Sequence, residues 1–359
     1  MRIGILSMQK IPNYGSFLQA LSLKMQFEAR GHDVYFIDIV PGRQICEPTD
    51  NKTKLFRKID RYFFKRIANL FFYKRMRVIH TEDHTRYLNT PKMLPTDQKY
   101  DLAVIGSDEV FNATIPSRWG FTTQLFGDIK NAQRVVSYAA SCGSTTFEKA
   151  DEFGIIKEIS DSLNSLECIS VRDTNTQDFV KKATGREALI NVDPVFISDF
   201  DIFIPELKMR KPYMLIYAYG NRICDEDEIK AIKEYAKKHK IDIVSVGMQQ
   251  RWCKHNITAT AFELLSYVKG ATCIVTDTFH GAVFSIKYNK QFVTLIRDSN
   301  RNKLDGLLRQ FGLIERSVDD IDRFEKTLDA PIDYIAVNRV ICSEQQKTHE
   351  YLDRITREV

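Results

Sequence analysis

Short apolar runs alternate along this chain with stretches in which apolar residues recur every three or four positions, the periods of strands and helices respectively. RIGILSM opens the sequence and is followed by a helical pattern from Ser16 to Arg30, then by the run GHDVYFIDIV. DLAVIGS, RVVSYAAS, CISVR and ALINVDPVF come next, each bounded by turn or helix signals. This βα alternation predicts a parallel sheet covered by helices on both faces. After Pro194 the polar, proline-containing stretch SDFDIFIPELKMRKP reads as a linker. The rhythm then restarts with YMLIYAY, a charged helix from Asp225 to Lys240, IDIVSVG, a helix near Ala261 to Lys269, TCIVTD, a further helix and QFVTLI.

The expected fold class is therefore α/β, with two Rossmann-like domains facing a cleft. The pattern places an amino-terminal domain over 1–205, carrying a basic amphipathic insertion at about 52–79, and a second domain over 206–335. A final segment, 336–359, holds a helix around Cys342 to Arg357 that can cross back onto the first domain. There is no internal repeat and no low-complexity tract.

A length of 359 residues suits two domains of ordinary size, and 43% hydrophobic residues with evenly spread charge read as soluble and globular. The net charge of +5 is modest, but between Lys52 and Arg77 stand ten basic residues and one acid. The remainder is slightly acidic, which points to a local anionic partner rather than to a nucleic-acid-coating surface. The seven cysteines are scattered and form no CxxC, so neither a disulfide scaffold nor a zinc site is expected, and a reducing cytoplasm suits them. The chain opens directly on a strand pattern, without a signal-peptide pattern, and no apolar run approaches the roughly 20 residues of a membrane span. A cytoplasmic protein is expected. The first βα loop, QKIPNYGS, lacks GxGxxG, which argues against a dinucleotide cofactor.

In open α/β sheets ligands bind beyond the carboxyl ends of the strands. Four loops of this chain should gather there. Asn13-Tyr14-Gly15-Ser16 opens the first helix, as an Asn/Gly turn with a serine cap or as a polar ligand contact. Gly106-Ser107-Asp108-Glu109 follows DLAVI, where Ser107 and Asp108 can cap a helix or bind sugar hydroxyls. Ser170-Val171-Arg172-Asp173 ends ECIS, and Arg172 can form a salt bridge or offer its planar fork to a carboxylate or phosphate. TDTFHG, from Thr276 to Gly281, sits where a strand hands over to a helix, whose amino-terminus favours anions. In it Gly281 permits close backbone approach, and His280 can change protonation near neutral pH.

NYGSFLQALSL, YDLAVIGSDEVFN, SYAASCGS, CISVRD, NVDPVF and TDTFHGAVFSIKYNKQFVTL are similar, in order, to segments of the polysaccharide pyruvyl transferase family. The resemblance runs from about Ile3 to Leu313 and leaves out the basic arm. Glu109, Phe111 and Cys142 stand where members of that family usually carry glutamine, tryptophan and phenylalanine, at packing or supporting positions. The resemblance implies an architecture similar to the GT-B glycosyltransferases, with phosphoenolpyruvate as donor and transfer of pyruvate as a cyclic ketal onto two hydroxyls of a sugar in a lipid-linked polysaccharide precursor. No separate cofactor is implied, phosphoenolpyruvate being a co-substrate, and no metal-ligand spacing occurs. On this reading His280, Asp108 and Asp277 are the catalytic candidates. Arg172, Thr278, Phe279, His280 and Gly281 would hold the donor, and Asn13, Tyr14 and Ser107 the acceptor. A nucleotide-sugar glycosyltransferase and a non-catalytic glycan-binding relative are the competing readings.

The arm KTKLFRKIDRYFFKRIANLFFYKRMR reads as a helix in which Leu55, Ile59, Phe63, Ile67, Leu70 and Phe71 form a stripe flanked by Lys54, Lys58, Arg61 and Lys65. Such a stripe packs into a core, or lies on an anionic membrane surface at the inner face of the cell membrane.

Overall fold

The computed structural model describes residues 1–45, 63–88, 98–114, 116–207, 209, 211–220, 222–297 and 300–357, with side chains from residue 70 onward in the helix that begins at Phe63. Contacts divide the chain into two units. The first comprises Met1–Ala68, His84–Ser198 and Glu344–Val359, and the second comprises Asn69–Asp83 and Asp199–Ser343. The units change at Ser198, a few residues before the expected boundary, and residues 69–83 group with the second unit although they precede most of the first in the chain.

In the first unit β1 (Arg2–Leu6), β2 (Asp33–Phe36), β3 (Tyr100–Ile105) and β4 (Ala132–Ser137) build a parallel sheet of order β2-β1-β3-β4, with α1 (Tyr14–Glu28) between β1 and β2; α2 (Phe63–Tyr87) follows β2 in the chain, and its residues 69–83 belong to the second unit. Ile3, Ile5 and Leu6 of the central β1 are fully buried, as an apolar run between two neighbours requires. The helix after β1 starts at Tyr14, not Ser16: Asn13 is the cap, its Oδ1 accepting the Gly15 N–H at 2.8 Å. Helix α2 extends ten residues beyond Arg77. Its expected first part lies outside the described residues, with Lys54, Leu55, Lys58, Ile59 and Arg61, as do the side chains of Phe63, Lys65 and Ile67.

The unit continues with α3 (Phe147–Glu152), α4 (Ile156–Asn164), β5 (Ser170–Val171), α5 (Thr174–Thr184) and β6 (Leu189–Ile190). CISVR and ALINVDPVF, expected as full strands, shrink to the two-residue parallel pair β5–β6. Local chemistry stops both. Asp173 accepts the Thr176 N–H at 2.8 Å and caps α5, and Asp193 with Pro194 turns the chain into a 3-10 turn over Pro194–Ile197.

The second unit contains β7 (Tyr213–Tyr217), α6 (Glu226–Lys238), β8 (Asp242–Val246), β9 (His255–Ile257), α7 (Ala261–Gly270), β10 (Cys273–Thr276), α8 (Phe279–Lys287), β11 (Gln291–Leu295), α9 (Arg301–Gln310), β12 (Ser317–Val318) and α10 (Phe324–Asp329). Its strands form one parallel sheet of order β12-β11-β10-β7-β8-β9. The last helix, α11 (Tyr334–Ile355), starts eight residues before the expected Cys342. From Glu344 onward it groups with the first unit, where Tyr351 Oη donates to the Ser137 carbonyl at 2.6 Å and Gln345 Nε2 to that of Phe196 at 2.6 Å.

The strand orders decide where ligands can bind. Each sheet reverses its direction of winding at one place, between β1 and β3 in the first unit and between β7 and β10 in the second. Loops leaving those strands diverge and open a crevice.

Candidate active site

In the first unit the β1–β3 crevice is crossed by side chains from four loops. Ser7, just after β1, donates its hydroxyl to the Ser107 carbonyl at 3.0 Å. Ser16, in the first turn of α1, donates to Asp108 Oδ2 at 2.6 Å, while Asp108 Oδ1 accepts the Glu109 N–H. Asp108 holds a left-handed backbone conformation, φ 86°, which costs a non-glycine residue free energy and persists because these bonds and the Ser141 N–H on its carbonyl over-determine it.

Arg172 is buried, 5% exposed, and its fork meets Asp193: Nη1 donates to Asp193 Oδ2 at 3.2 Å. Ser107 Oγ reaches the same oxygen at 3.4 Å. The acid adjacent to Arg172 in sequence, Asp173, is not its partner. Asp193 was missed as a site residue, although NVDPVF carried the signal of an acid beside a proline turn at a strand end. Asn13 is half-buried and occupied as a cap, and Tyr14 is buried in the core.

The unusual residues support this region from behind. Phe111 stacks on Phe126 with centroids 5.2 Å apart. The Cys142 thiol is fully buried, and burial pushes it up to about 12, so it packs and does not react at neutral pH. Asn112 Nδ2 donates to Glu109 Oε2 at 2.7 Å beside Gly143, where a Cβ would lie 2.4 Å from Asn112 Nδ2.

A cavity of about 320 Å³ opens beyond β1 and β2, sharing Ser7 with the β1–β3 crevice and lined also by Gln9, Lys10, Asp38, Arg118 and Trp119 among others. Lys10 pairs with Asp38, and the Arg118 guanidinium lies 5.1 Å from the Trp119 ring centre. An indole and several hydrogen-bonding side chains thus line one concave surface. Periodicity gave no hint of it, because its walls come from distant loops.

In the second unit TDTFHG stands at the switch point, on the turn from β10 into α8. Thr278 caps the helix, accepting the Gly281 N–H at 2.9 Å, and Thr276 Oγ1 donates to the Tyr217 carbonyl at 2.6 Å. Gly281 is required by packing: a Cβ there would lie 2.0 Å from Thr276 Oγ1. The close approach it permits is to Thr276. His280, 8% exposed, sits in the first turn of α8 against the rings of Phe279 and Phe284.

Asp277 has no exposed surface. Its Oδ1 accepts the Tyr219 N–H at 3.1 Å, and Oδ2 faces Arg222 Nη1 at 3.6 Å, an ion contact longer than a hydrogen bond. Burial raises the carboxyl above its ordinary value, while Arg222, the Tyr219 N–H and Arg297 pull it back. The loop after β7 is pinned further by Gln250 Nε2, 2.9 Å from the Ala218 carbonyl, and by Arg297 Nη2, 3.3 Å from that of Arg222. Arg222 lies over the Tyr219 ring at 4.7 Å and keeps 37% of its side chain exposed. Arg222 and the amino-terminus of α8 both stand at the β7–β10 switch point, a guanidinium facing Asp277 and a helix end of the polarity that favours anions. Arg222 was not singled out in the sequence; the signal was YGNR directly after a buried strand.

Among the described residues His239, Glu325 and Asp329 hold potential metal-ligand atoms within 4.8 Å of one another. They lie where α6 ends, at the opposite sheet edge from these loops, and Lys238 already pairs with Glu325. No helix among the described residues is long and apolar enough to cross a membrane.

A family model, polysaccharide pyruvyl transferase, matches residues 13–299, a span that contains Ser16, Asp108, Arg172, Asp193 and the whole β7–β10 crevice. The chain belongs to that family. Its fold is that of the GT-B glycosyltransferases. The glycotransferase of kitacinnamycin superposes with a TM-score of 0.51 at 11% identity, covering 98% of each chain. A spinosyn rhamnosyltransferase superposes at 0.49 with 9% identity over 99% of each chain. No curated protein matches the sequence significantly. As a polysaccharide pyruvyl transferase family member the chain is a transferase acting in polysaccharide synthesis.

Proposed function

We propose that the protein takes pyruvate from phosphoenolpyruvate and installs it as a cyclic ketal on two hydroxyls of a sugar carried on a lipid, at the inner face of the cell membrane. The observation that carries the reading is the β7–β10 switch point, where Arg222 and the α8 amino-terminus form an anion seat on the family's TDTFHG segment. A donor bearing a carboxylate and a phosphate needs such a seat. His280, in the first turn of α8, supplies the acid: a proton moves to the methylene carbon of the enol as one sugar hydroxyl attacks C2. Loss of phosphate and attack by the second hydroxyl close the ketal, so two hydroxyl protons are released, one replaces the proton spent on carbon, and inorganic phosphate leaves.

Asp108, half-buried and bonded by Ser16, is the first unit's candidate base for a sugar hydroxyl. Asp277, fully buried, acts through Arg222 and is a positioning residue. Arg172 carries its charge under the first crevice, held by Asp193, as that unit's candidate for an anionic group. The cavity beside Trp119 suits the acceptor sugar.

The test is phosphate release from phosphoenolpyruvate across a panel of lipid-linked sugars. Release dependent on one acceptor, reduced about 10²–10⁴-fold by His280→Asn at unchanged melting temperature, is the expected result. Nucleoside diphosphate release from a nucleotide-sugar instead makes it a glycosyltransferase. Glycolipid binding with neither product makes it a binding protein.

A further inference from the structure

We infer that α2 docks the protein on an anionic lipid surface through the stripe Leu70, Lys74 and Val78 with its neighbours Phe71, Arg75 and Arg77. Leu70, Phe71 and Val78 are 70%, 65% and 49% exposed, among the largest exposures of any large apolar side chains described. At 3.6 residues per turn Leu70, Lys74 and Val78 follow one line along the helix, with Phe71 and Arg75 on one side and Arg77 on the other. The opposite face is anchored. Met76, His80 and Asp83 are buried, and Asp83 Oδ2 accepts the Ala261 N–H at 2.9 Å, at the start of α7. The helix cannot turn its apolar side inward without breaking that anchor.

Charge selects the occupant. Between residues 63 and 81 of α2 the sequence has five basic residues and no acid. Apolar side chains interleaved with lysine and arginine are the pattern of a helix lying in a headgroup layer, where the apolar groups enter and the cations meet lipid phosphates. A second copy of this chain fits poorly. A two-fold contact would set Lys74, Arg75 and Arg77 against the same residues of the partner.

The placement has a consequence for the second unit. The Tyr73 hydroxyl lies against Gly220, where a Cβ would be 2.9 Å from it. The docking helix thus abuts the loop that carries Arg222.

The experiment is co-sedimentation of the full chain with phosphatidylglycerol/phosphatidylcholine vesicles and with phosphatidylcholine alone. It needs no activity, so its outcome is independent of the ketal-transfer reading. Wild type is expected to pellet only with the anionic vesicles and to be released by high salt. Each basic residue at such a surface contributes roughly fivefold to partitioning, so Lys74→Glu, Arg75→Glu and Arg77→Glu together should weaken it by about 100-fold or more. Leu70→Ser with Phe71→Ser should weaken it at least about 10-fold. These positions are exposed, so melting temperatures should match wild type. The proposal is overturned if wild type stays in the supernatant, or if either variant pellets as wild type does. It is equally overturned if light scattering shows a dimer that Leu70→Ser/Phe71→Ser dissociates without changing vesicle binding.

Discussion

Asp277 Oδ2 lies 3.6 Å from Arg222 Nη1 while its Oδ1 accepts the Tyr219 N–H, so one buried carboxylate fixes the loop that presents Arg222. An arginine held this way needs little reordering when an anion arrives, which is the advantage of pre-organisation. Arg222→Ala is therefore expected to raise the KM for phosphoenolpyruvate by about 10-fold or more, as for the loss of a charged hydrogen bond. The KM for the acceptor and the melting temperature should stay close to wild type. Donor saturation curves that superimpose would remove Arg222 from the seat.

Asp277→Asn tests the cost of that burial. Burial raises the carboxyl, so the folded chain holds this proton more tightly than the unfolded chain does. Its contribution favours folding below the ordinary carboxylate range, near 3.9, and declines as pH rises through the raised folded value. The asparagine variant lacks this decline. Its stability relative to wild type should improve from about pH 4 toward neutrality and then level off, as read from urea midpoints across that range. A constant difference would show that Arg222 fully offsets the burial.

Lys287 gives a second pH effect, of the opposite charge type. Burial lowers its ammonium to about 8, against the pull of Asp199 and Asp201, with Nζ 5.7 Å from the Phe200 ring centre and 5.8 Å from that of Tyr288. A lowered base costs stability below the folded value, and the cost disappears between about pH 8 and 10.5 as the unfolded chain also loses the proton. Lys287→Met should therefore stabilise the protein at pH 7, by at most on the order of 3 kcal/mol, with the gain vanishing near pH 10.5. Equal urea midpoints at pH 7 would refute it.

Arg172 and Asp193 form a buried pair, 3% and 0% of their side chains being exposed. Removing one partner leaves the other charge uncompensated, so Asp193→Ala should cost about 3–5 kcal/mol in unfolding free energy. Arg172→Lys keeps the charge and loses the planar fork. It should cost less stability than Asp193→Ala and still impair phosphoenolpyruvate use more than acceptor use. Unchanged donor kinetics in a folded Arg172→Lys protein would leave the pair a structural one.

Gly281→Ala forces a methyl group to within 2.0 Å of the Thr276 hydroxyl, which is itself committed to the Tyr217 carbonyl. Overpacking of this kind costs roughly 1–3 kcal/mol, more than the helix propensity of alanine returns. A melting temperature equal to wild type would show that α8 shifts freely on the sheet, contrary to the packing described.

The sequence by itself determined the βα rhythm, the parallel sheets and the loops that carry chemistry. These depend on local period, and on asparagine, aspartate and threonine caps such as Asn13, Asp173 and Thr278, whose bonds reach only two or three residues. Tertiary structure alone decided the partners. Arg172 passes over its neighbour Asp173 for Asp193, 21 residues away, and Ser16 meets Asp108 across 92 residues, because strand order brings those loop ends to one switch point. The same holds for Arg222, which no motif marked until β7 and β10 lay side by side, and for α2. Its period announced an amphipathic helix, but which face is buried followed only from Met76, His80 and Asp83 finding the second unit, which left Leu70, Phe71 and Val78 to solvent.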